Sequence, residues 1–561
     1  MCILALASFA AVASQAQSPE NENPKFKWDA VLQNRLALKS TRGWTSAIIK
    51  IKGELTPQRE ASLKSLGADI YRHLAIIDSV ALRIPTRNLK RLAELTFVSH
   101  LSDDMGVKKC DEFTVGASGA DVAFSQYGLT GDGVGVAVLD SGIQSRLDLL
   151  DSDGVGTRII VNQNMTSEKD AYDYCGHGTH VAGIIGGNGT TSAGFLFYHS
   201  FYGIARKSNL INVRVLDSIG MGTVSQVVAG VQWVTANKTK YNIRVLNLSL
   251  GHPVGESYKT DPLCQALESA WKAGIVVVCA AGNNGRLQNT ANPSLDNEGY
   301  GTSWGSIQSP GNDPFVITVG AAKIYDALRS HDRVATYSSR GPSRLDYVLK
   351  PDIIAPGNHI TSLNCVNGYL ENTYAKTNSV PWASYSLIPF PGNSASYFQL
   401  SGTSMAAPVV SGAAALLLEK YPSLTPDTIK ARLMLSADKW ADPQGIANPC
   451  TYGAGYLNIP AAIVNIAAPT QFAKSPTLIR LKNGNVVIKM DNAIWGQNAI
   501  WGIYGVTDFR SIWGVNAIWG ASSNILSNSN AIWGKTFWSD NAIWGVSSAQ
   551  ADISAAVVNG D

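Results

Sequence analysis

Between residues 131 and 419, short runs rich in β-branched residues alternate with stretches of helical spacing. Strands that alternate with helices indicate parallel strands joined by crossover helices. We therefore expect an α/β fold, with a doubly wound, mostly parallel sheet flanked by helices. The predicted strands and helices lie, in chain order, at 134–139, 179–185, 212–216, 224–236, 245–250, 261–273, 274–281, 316–321, 353–355 and 404–419.

A smaller unit is predicted upstream, between Gly43 and about Val107. Its pattern indicates a strand at 47–52, a helix at 56–65, a strand at 79–84 and a helix at 85–95. That order suits a small α+β domain, and a chain of 561 residues has room for three or four such units.

Composition excludes several classes of protein. Only 16% of residues are charged and the formal net charge is +3, which argues against a nucleic-acid partner. The hydrophobic share of 45% argues against general disorder. No uncharged apolar stretch reaches the length of about 18 residues that a transmembrane helix needs, so no transmembrane segment is predicted.

The N-terminal stretch is apolar, and its first charged residue is Glu20. Residues 1–16 resemble the core and cleavage region of a secretory signal peptide, which predicts a secreted protein, in the medium, the periplasm or at the cell surface. Because no Lys or Arg precedes the apolar run, a buried or frayed N-terminal helix is the alternative.

Seven cysteines are too few for a disulfide scaffold in a chain of this size. No CxxC pair is present, which argues against a structural zinc site. Cys365 and Cys450 lie in loop-like sequence and are a candidate disulfide pair if the protein is exported.

The C-terminal region, residues 468–561, carries five copies of NAIWG and seven of the 14 Trp residues. One interpretation is a small β-rich appendage whose rings pack on themselves or on the main domain. A second is a module that binds a carbohydrate, envelope or protein surface, and a third is a disordered or processed tail.

Three polar residues occupy positions suited to chemistry. Asp140 follows a buried strand, where open α/β sheets place their sites. His177 begins a helix after a glycine, with its imidazole expected to be exposed, and Ser404 lies at the start of an apolar helix. The helix N-terminus would favour a developing anion there.

Two further features bear on that chemistry. His177 and His180 have the spacing of a metal pair, but the Glu of a zinc HExxH helix is absent, so no metal site is predicted. Asn283 follows another apolar strand, where its amide could donate to an oxyanion. A serine nucleophile needs a base, for which His177 is the candidate, oriented by Asp140.

The order Asp140, His177, Ser404 and the motifs around them closely resemble the subtilisin-like serine proteases. The motifs are DSG at 140–142, HGTHVAG at 177–183 and GTSMAAP at 402–408, and the resemblance covers about 111–467. It implies a subtilisin-like catalytic domain with Asn283 in the oxyanion hole. It also implies two cleft walls that bind substrate, formed by Ser249, Leu250, Gly251, Ala281 and Gly282.

The resemblance further implies that residues 43–109 are a propeptide, an intramolecular inhibitor removed autocatalytically near Cys110, within about 105–116. The expected function is thus a secreted serine endopeptidase, made as a zymogen, that cleaves polypeptides through an acyl-enzyme without a cofactor. Two alternatives are a binding or adhesion protein with a retired protease domain, and a serine-carboxyl peptidase, which would need Glu as base.

The chain also departs from the family pattern. Insertions are expected around 286–306 and 365–397, the second predicted to rim the cleft beside Ser404. Gln308 is expected at the floor of the primary specificity pocket. The usual calcium loop, here 186–191, lacks a carboxylate, so calcium is not predicted there, although Asp148 could contribute to a site. Cys175, near His177, predicts sensitivity to thiol reagents.

Overall fold

The computed structural model describes residues 27–28, 32, 43–104, 114–151, 154–325, 329–387, 395–439, 448–480, 486–489, 548–550 and 560–561. The chain divides into two compact units, Met1–Lys109 and Cys110–Asp561. The predicted signal peptide, most of the predicted cleavage window and the NAIWG copies lie outside the described residues. The division into a signal peptide at 1–16, a propeptide at 43–109, a catalytic domain at 111–467 and a C-terminal repeat region at 468–561 stays a prediction.

The described part of the first unit contains an antiparallel sheet and the helices that connect its strands. Its elements are β1 (Trp44–Ile51), α1 (Pro57–Ser65), β2 (Asp69–Leu74), β3 (Ser79–Pro85), α2 (Leu89–Glu94) and β4 (Val98–Asp103). The strand order is β2-β3-β1-β4. Ala47, Ile49 and Ile51 lie on the buried face of β1, because successive side chains of a strand alternate between its two faces.

Sequence patterns found two of these four strands and missed β2 and β4. β2 carries Asp69, Arg72 and His73, and no residue of it is buried, so it lacks the apolar alternation that marks a strand. The helix at α1 is confirmed. Thr56 caps it, with its Oγ1 accepting a hydrogen bond from the N–H of Arg59 at 3.4 Å.

The second unit is built on a large sheet. Its strands are β5 (Gly135–Asp140), β6 (Ile159–Asn164), β7 (Asn209–Arg214), β8 (Met221–Thr223), β9 (Ile243–Leu248), β10 (Val276–Ala280), β11 (Ile317–Lys323), β12 (Arg333–Val334), β13 (Ile353–Pro356), β14 (Ile360–Leu363), β15 (Tyr397–Leu400), β16 (Thr477–Arg480), β17 (Val486–Lys489) and β18 (Ser548–Gln550). Its helices are α3 (Thr114–Ser118), α4 (Ala120–Tyr127), α5 (His177–Gly186), α6 (Val224–Asn237), α7 (Pro262–Lys272), α8 (Tyr369–Asn378), α9 (Thr403–Lys420), α10 (Pro426–Leu435), α11 (Pro449–Tyr452) and α12 (Ile459–Val464).

The central sheet has the order β12-β11-β10-β9-β5-β7-β6, and β13 also pairs with β11. Every neighbouring pair is parallel except β11 with β12. The predicted α/β class is therefore confirmed. All residues of β5 and β10 are buried, as expected for a parallel sheet covered on both faces.

Helix α9 fixes the position of Ser404 relative to this sheet. It is buried from Thr403 to Leu418 and packs against β9, β10, β11, β13 and α5. Because β5, β9 and β10 are parallel, their carboxyl ends meet at one edge of the sheet. Asp140 and Asn283 therefore come from strands that end at the same edge.

The candidate disulfide between Cys365 and Cys450 is wrong. Both thiols are free and buried in different surroundings: Cys365 Sγ donates to the carbonyl of Asp173 at 3.0 Å, and Cys450 lies on α11. Cys175 is also fully buried, and burial raises the pKa of its thiol. A buried neutral thiol argues against the predicted sensitivity to thiol reagents.

Along the part of the chain that the structure describes, no helix combines the length and apolar character required to cross a bilayer.

Candidate active site

Asp140 and His177 form a hydrogen bond, with 2.8 Å between Asp140 Oδ1 and His177 Nδ1. Asp140 is the last residue of β5 and His177 the first of α5. Gly178 permits this approach, because a Cβ there would overlap the carbonyl of Gly142 and lie 3.1 Å from the Asp140 Cβ. The imidazole was expected to be exposed, but His177 is fully buried.

Ser404 is linked to a predicted cleft wall through Ser249. Its hydroxyl donates to the carbonyl of Ser249 at 3.2 Å, and the Ser249 hydroxyl donates to the carbonyl of Ser404 at 2.8 Å. The Ser404 carbonyl is available because residue 408, four positions along α9, is a proline without an N–H. Pro408 thus leaves an acceptor in the first turn of the helix.

Asn283 is oriented by Thr403, the residue before Ser404. The N–H and hydroxyl of Thr403 lie 2.9 and 3.1 Å from Asn283 Oδ1. The buried Nδ2 of Asn283 has no hydrogen-bond partner among the described residues. An amide fixed in this way has a donor left for a substrate oxygen.

Gln308 lies between the two predicted walls. A Cβ on Gly251 would lie 3.0 Å from Gln308 Oε1, and one on Gly282 would lie 2.9 Å from it. The Gln308 N–H donates to the carbonyl of Ala281 at 3.0 Å, and the N–H of the next residue, Ser309, donates to the carbonyl of His252 at 2.9 Å. The segment therefore ties together the walls at 249–251 and 281–282.

Asp173 was missed by sequence reasoning and organises the turn before His177. Its Oδ1 accepts the Ser141 hydroxyl at 2.9 Å and the Gly176 N–H at 2.7 Å, and its Oδ2 accepts the Thr179 N–H at 2.8 Å. Burial raises the pKa of this carboxyl. A lone Asp in a polar loop gives no sequence signal for such a role.

His180 is buried, and its side chain contacts main-chain carbonyl groups. Its Nε2 lies 3.1 Å from the carbonyl oxygens of both Ile360 and Phe398, and burial lowers its pKa to about 3. His177 Nδ1 faces Asp140, so these two ring nitrogens contact different protein groups. Within the described ranges no three His, Cys, Asp or Glu side chains form a group that could hold a metal ion.

The residues near the loop at 186–191, where subtilisin-like proteases usually bind calcium, do not fit a calcium ion. Asp148 is fully buried, and its carboxylate accepts hydrogen bonds from the hydroxyls of Thr191 at 2.7 Å and Tyr397 at 2.6 Å. Calcium prefers several oxygen ligands with carboxylates among them. Here hydroxyl donors occupy both oxygens of the Asp148 carboxylate.

The second predicted insertion contacts the segment before His177. At the start of α8, the N–H of Tyr369 donates to the carbonyl of Tyr174 at 2.8 Å, and that of Leu370 donates to Cys175 at 2.9 Å. The insertion therefore joins the catalytic unit two residues from His177. Its effect on substrate choice stays a prediction.

Comparison with known proteins agrees with this geometry. The model of the subtilase family matches residues 131–455. The chain is 38% identical over 355 residues to serine protease AprX of Bacillus subtilis, covering 62% of this chain and 70% of that protein. It is 30% identical to subtilisin E of Bacillus subtilis, covering 74% of this chain and 89% of that protein.

A third relative is the extracellular serine proteinase of a Thermus species, 31% identical, with 72% of this chain and 82% of that protein covered. More than half of the chain matches the family model, and the sheet carries an Asp–His pair at its carboxyl edge. The chain therefore belongs to the subtilase family and is a serine endopeptidase.

Proposed function

We propose that Ser404 is the nucleophile, His177 the general base and Asp140 the group that supports it. The Ser404 hydroxyl attacks the scissile carbonyl and its proton passes to His177. Asp140 stabilises the imidazolium through the 2.8 Å contact at Nδ1, and this contact is the observation that carries the proposal. His177 then returns the proton to the leaving amine, and water hydrolyses the acyl-enzyme by the same route.

The tetrahedral oxyanion is bound by the Asn283 amide and the main-chain N–H of Ser404. Support comes from the Thr403 contacts, which hold Oδ1 and leave Nδ2 without a partner among the described residues. The start of α9 adds the positive end of a helix dipole. Charge that develops in the transition state then meets donors that are already oriented.

An extended polypeptide would bind between Ser249–Gly251 and Ala281–Gly282. The side chain of the residue before the cleaved bond would point toward Gln308. A glutamine at the floor of this pocket would favour small or polar side chains over long apolar ones. No cofactor or metal takes part in these steps.

A fluorophosphonate probe tests the assignment of the nucleophile. The processed protein should be labelled, Ser404→Ala should not, and the exposed serine variant Ser423→Ala should be labelled like the wild type. Failure to label the processed wild type would overturn the proposal and favour a binding protein with a retired protease domain.

We further propose that the protein is exported and matures by self-cleavage. Support comes from the leader-like sequence at 1–16 and from the separate compact unit that contains residues 43–104. Mass spectrometry of the culture medium should find a form that begins between about 105 and 116. Ser404→Ala should keep residues 43–109 attached; maturation of that variant at the normal rate would contradict self-cleavage.

For the C-terminal repeats we propose binding to a carbohydrate or envelope surface. Sedimentation of the Ser404→Ala protein with isolated cell envelopes tests this, with a variant whose seven Trp between 495 and 544 are replaced by Ala as the control. Equal sedimentation of the two proteins would contradict the proposal.

A further inference from the structure

The side chain of Asp561 is buried in the second unit, and protein groups contact both oxygens of its carboxylate. Only 2% of its side chain is exposed, and Arg286 Nη2 pairs with its Oδ1. Thr336 donates to the same carboxylate twice, from its N–H at 2.6 Å and its hydroxyl at 2.5 Å. Lys323 Nζ lies 3.8 Å away. Two cations and two hydrogen bonds therefore compensate the charge of this buried carboxylate.

The main chain of this segment is recognised as well. The Asp561 N–H donates to Asn358 Oδ1 at 3.0 Å, and its main-chain oxygen lies 3.3 Å from His359 Nε2. Residue 560 must be glycine here, because its φ is +69° and a Cβ would lie 2.6 Å from Ser401 Oγ. The site therefore selects a Gly-Asp sequence by shape and charge.

The residues that contact Gly560 and Asp561 lie close in sequence to the proposed catalytic residues. Arg286 lies three residues after Asn283, and Ser401 lies three residues before Ser404. The Gly402 N–H donates to the carbonyl of Gly357, the residue before Asn358, at 2.7 Å. The groups that hold Gly560 and Asp561 are thus joined directly to the loops that carry the nucleophile and the oxyanion donor.

A second part of the tail pairs with β8. β18 pairs antiparallel with β8, with Ser548 opposite Thr223 and Gln550 opposite Met221. β8 follows β7 closely: the N–H groups of Val215 and Leu216 donate to the carbonyl of Asp140 at 2.9 and 3.2 Å. β18 and β8 form a separate two-stranded sheet, and β8 lies close to these residues, because a Cβ on Gly222 would lie 2.5 Å from the carbonyl oxygen of Val215.

We propose that Arg286, Thr336 and Asn358 form a binding site for the Gly560–Asp561 segment. We further propose that this anchor keeps Ser548–Gln550 on β8, close to Asp140, where the tail hinders the entry of an extended polypeptide into the cleft between Ser249–Gly251 and Ala281–Gly282. Extended peptides can bind a protein by adding a strand to an exposed edge, and the tail uses that mode on β8. The inference rests on the proposed function, since competition has meaning only if the cleft is catalytic.

The first test measures kcat/KM on a short chromogenic peptide, with active sites counted by fluorophosphonate titration. If the tail occupies β8 in about nine molecules of ten, its release should raise kcat/KM about tenfold. Asp561→Asn and Arg286→Gln should each give this rise, and the double variant should give no more than either alone. Asp552→Asn, the same charge change in the same tail, should leave the rate unchanged.

The second test measures amide hydrogen exchange at Met221–Thr223 in the full chain carrying Ser404→Ala, so that the tail cannot be cut. Asp561→Asn should accelerate exchange there, and Asp552→Asn should not. A synthetic peptide of residues 552–561 should slow exchange at Thr336 in the Asp561→Asn protein, whereas the same peptide ending in Asn should not.

The two proposals fail in different ways. Absence of fluorophosphonate labelling would remove the proposed function while leaving the exchange result interpretable. Normal labelling, with exchange at Met221–Thr223 and kcat/KM both unaffected by Asp561→Asn, would overturn the tail site alone. Additive effects of Asp561→Asn and Arg286→Gln would also overturn it, because partners in one contact do not act independently.

Discussion

Thr403 donates two hydrogen bonds to one atom of Asn283, the side-chain Oδ1, from its main-chain N–H at 2.9 Å and its hydroxyl at 3.1 Å. The same hydroxyl accepts the N–H of Gly282 at 3.0 Å. Thr403, the residue before the proposed nucleophile, thus orients the amide that we propose as the oxyanion donor. This arrangement separates two effects that mutation can measure: removal of the donor and loss of its orientation.

Replacing Asn283 with Ala should lower kcat by about 10²–10³ with little change in KM, the loss known for oxyanion donors of this kind. The donor is needed mainly in the transition state, where the oxygen carries charge. Steady-state kinetics on a chromogenic peptide measures the change. Asn284→Ala, at the exposed neighbouring position, is the control. A decrease confined to KM would contradict the assigned role.

Thr403→Val should have a smaller effect, a decrease in kcat of about tenfold. It removes the hydroxyl contacts to Asn283 and Gly282 but keeps the main-chain N–H contact, and one such hydrogen bond contributes about 1 kcal/mol. Thr403→Ser should restore most of the activity because it returns the hydroxyl. If Val and Ser behave alike, the hydroxyl does not orient the amide.

Gln308→Gly should broaden the specificity of the enzyme toward large apolar side chains. The Gln308 side chain fills the space between Gly251 and Gly282, and its removal would deepen the pocket. The ratio of kcat/KM for peptides with Phe and with Ala before the cleaved bond should rise by about tenfold or more. Gln288→Gly, in an exposed loop, should leave that ratio unchanged.

Asp313 should make stability depend on pH around neutrality. Burial raises its pKa to about 7, and its Oδ2 has no hydrogen-bond partner among the described residues. Since the unfolded carboxyl titrates near 4, the folded state holds a proton that the unfolded state releases. The contribution of this proton to the free energy of unfolding is complete below about pH 4 and is lost as pH rises through about 7.

Asp313→Asn should therefore stabilise the protein at pH 9, by on the order of 1–3 kcal/mol, and change little at pH 4. The amide oxygen can still accept the Phe315 N–H, which donates to Asp313 Oδ1 at 2.7 Å. Denaturant unfolding of Ser404→Ala proteins with and without the change is the measurement. An equal effect at both pH values would exclude titration as the cause.

Six of the eight strands of the central sheet were predicted because they are short buried runs, whereas β6 and β12 were missed because most of their residues are only partly buried. The predicted helix at 404–419 differs from α9 by only one residue at each end. β2 escaped notice because its side chains are not buried and its sequence is rich in charge. Local patterns identify an element only when its burial is regular.

Contacts between distant residues were the least predictable. Asp173 joins Ser141, 32 positions away, to Gly176 and Thr179 in its own turn, and nothing in its loop marks it out. Asp561 pairs with Arg286, 275 positions away, and no spacing rule relates them. The incorrect pairing of Cys365 with Cys450 has the same origin, since a disulfide depends on geometry that loop-like sequence does not encode.

Pro408 has a consequence for any attempt to make this enzyme more robust. Replacing it with Ala would restore a helical hydrogen bond to the carbonyl of Ser404 and remove a residue that is unfavourable inside helices. The same change would give that carbonyl a donor that competes with the Ser249 hydroxyl. Stabilising the helix would thus weaken the contact between Ser404 and Ser249, so at this position we expect a gain in stability to lower turnover.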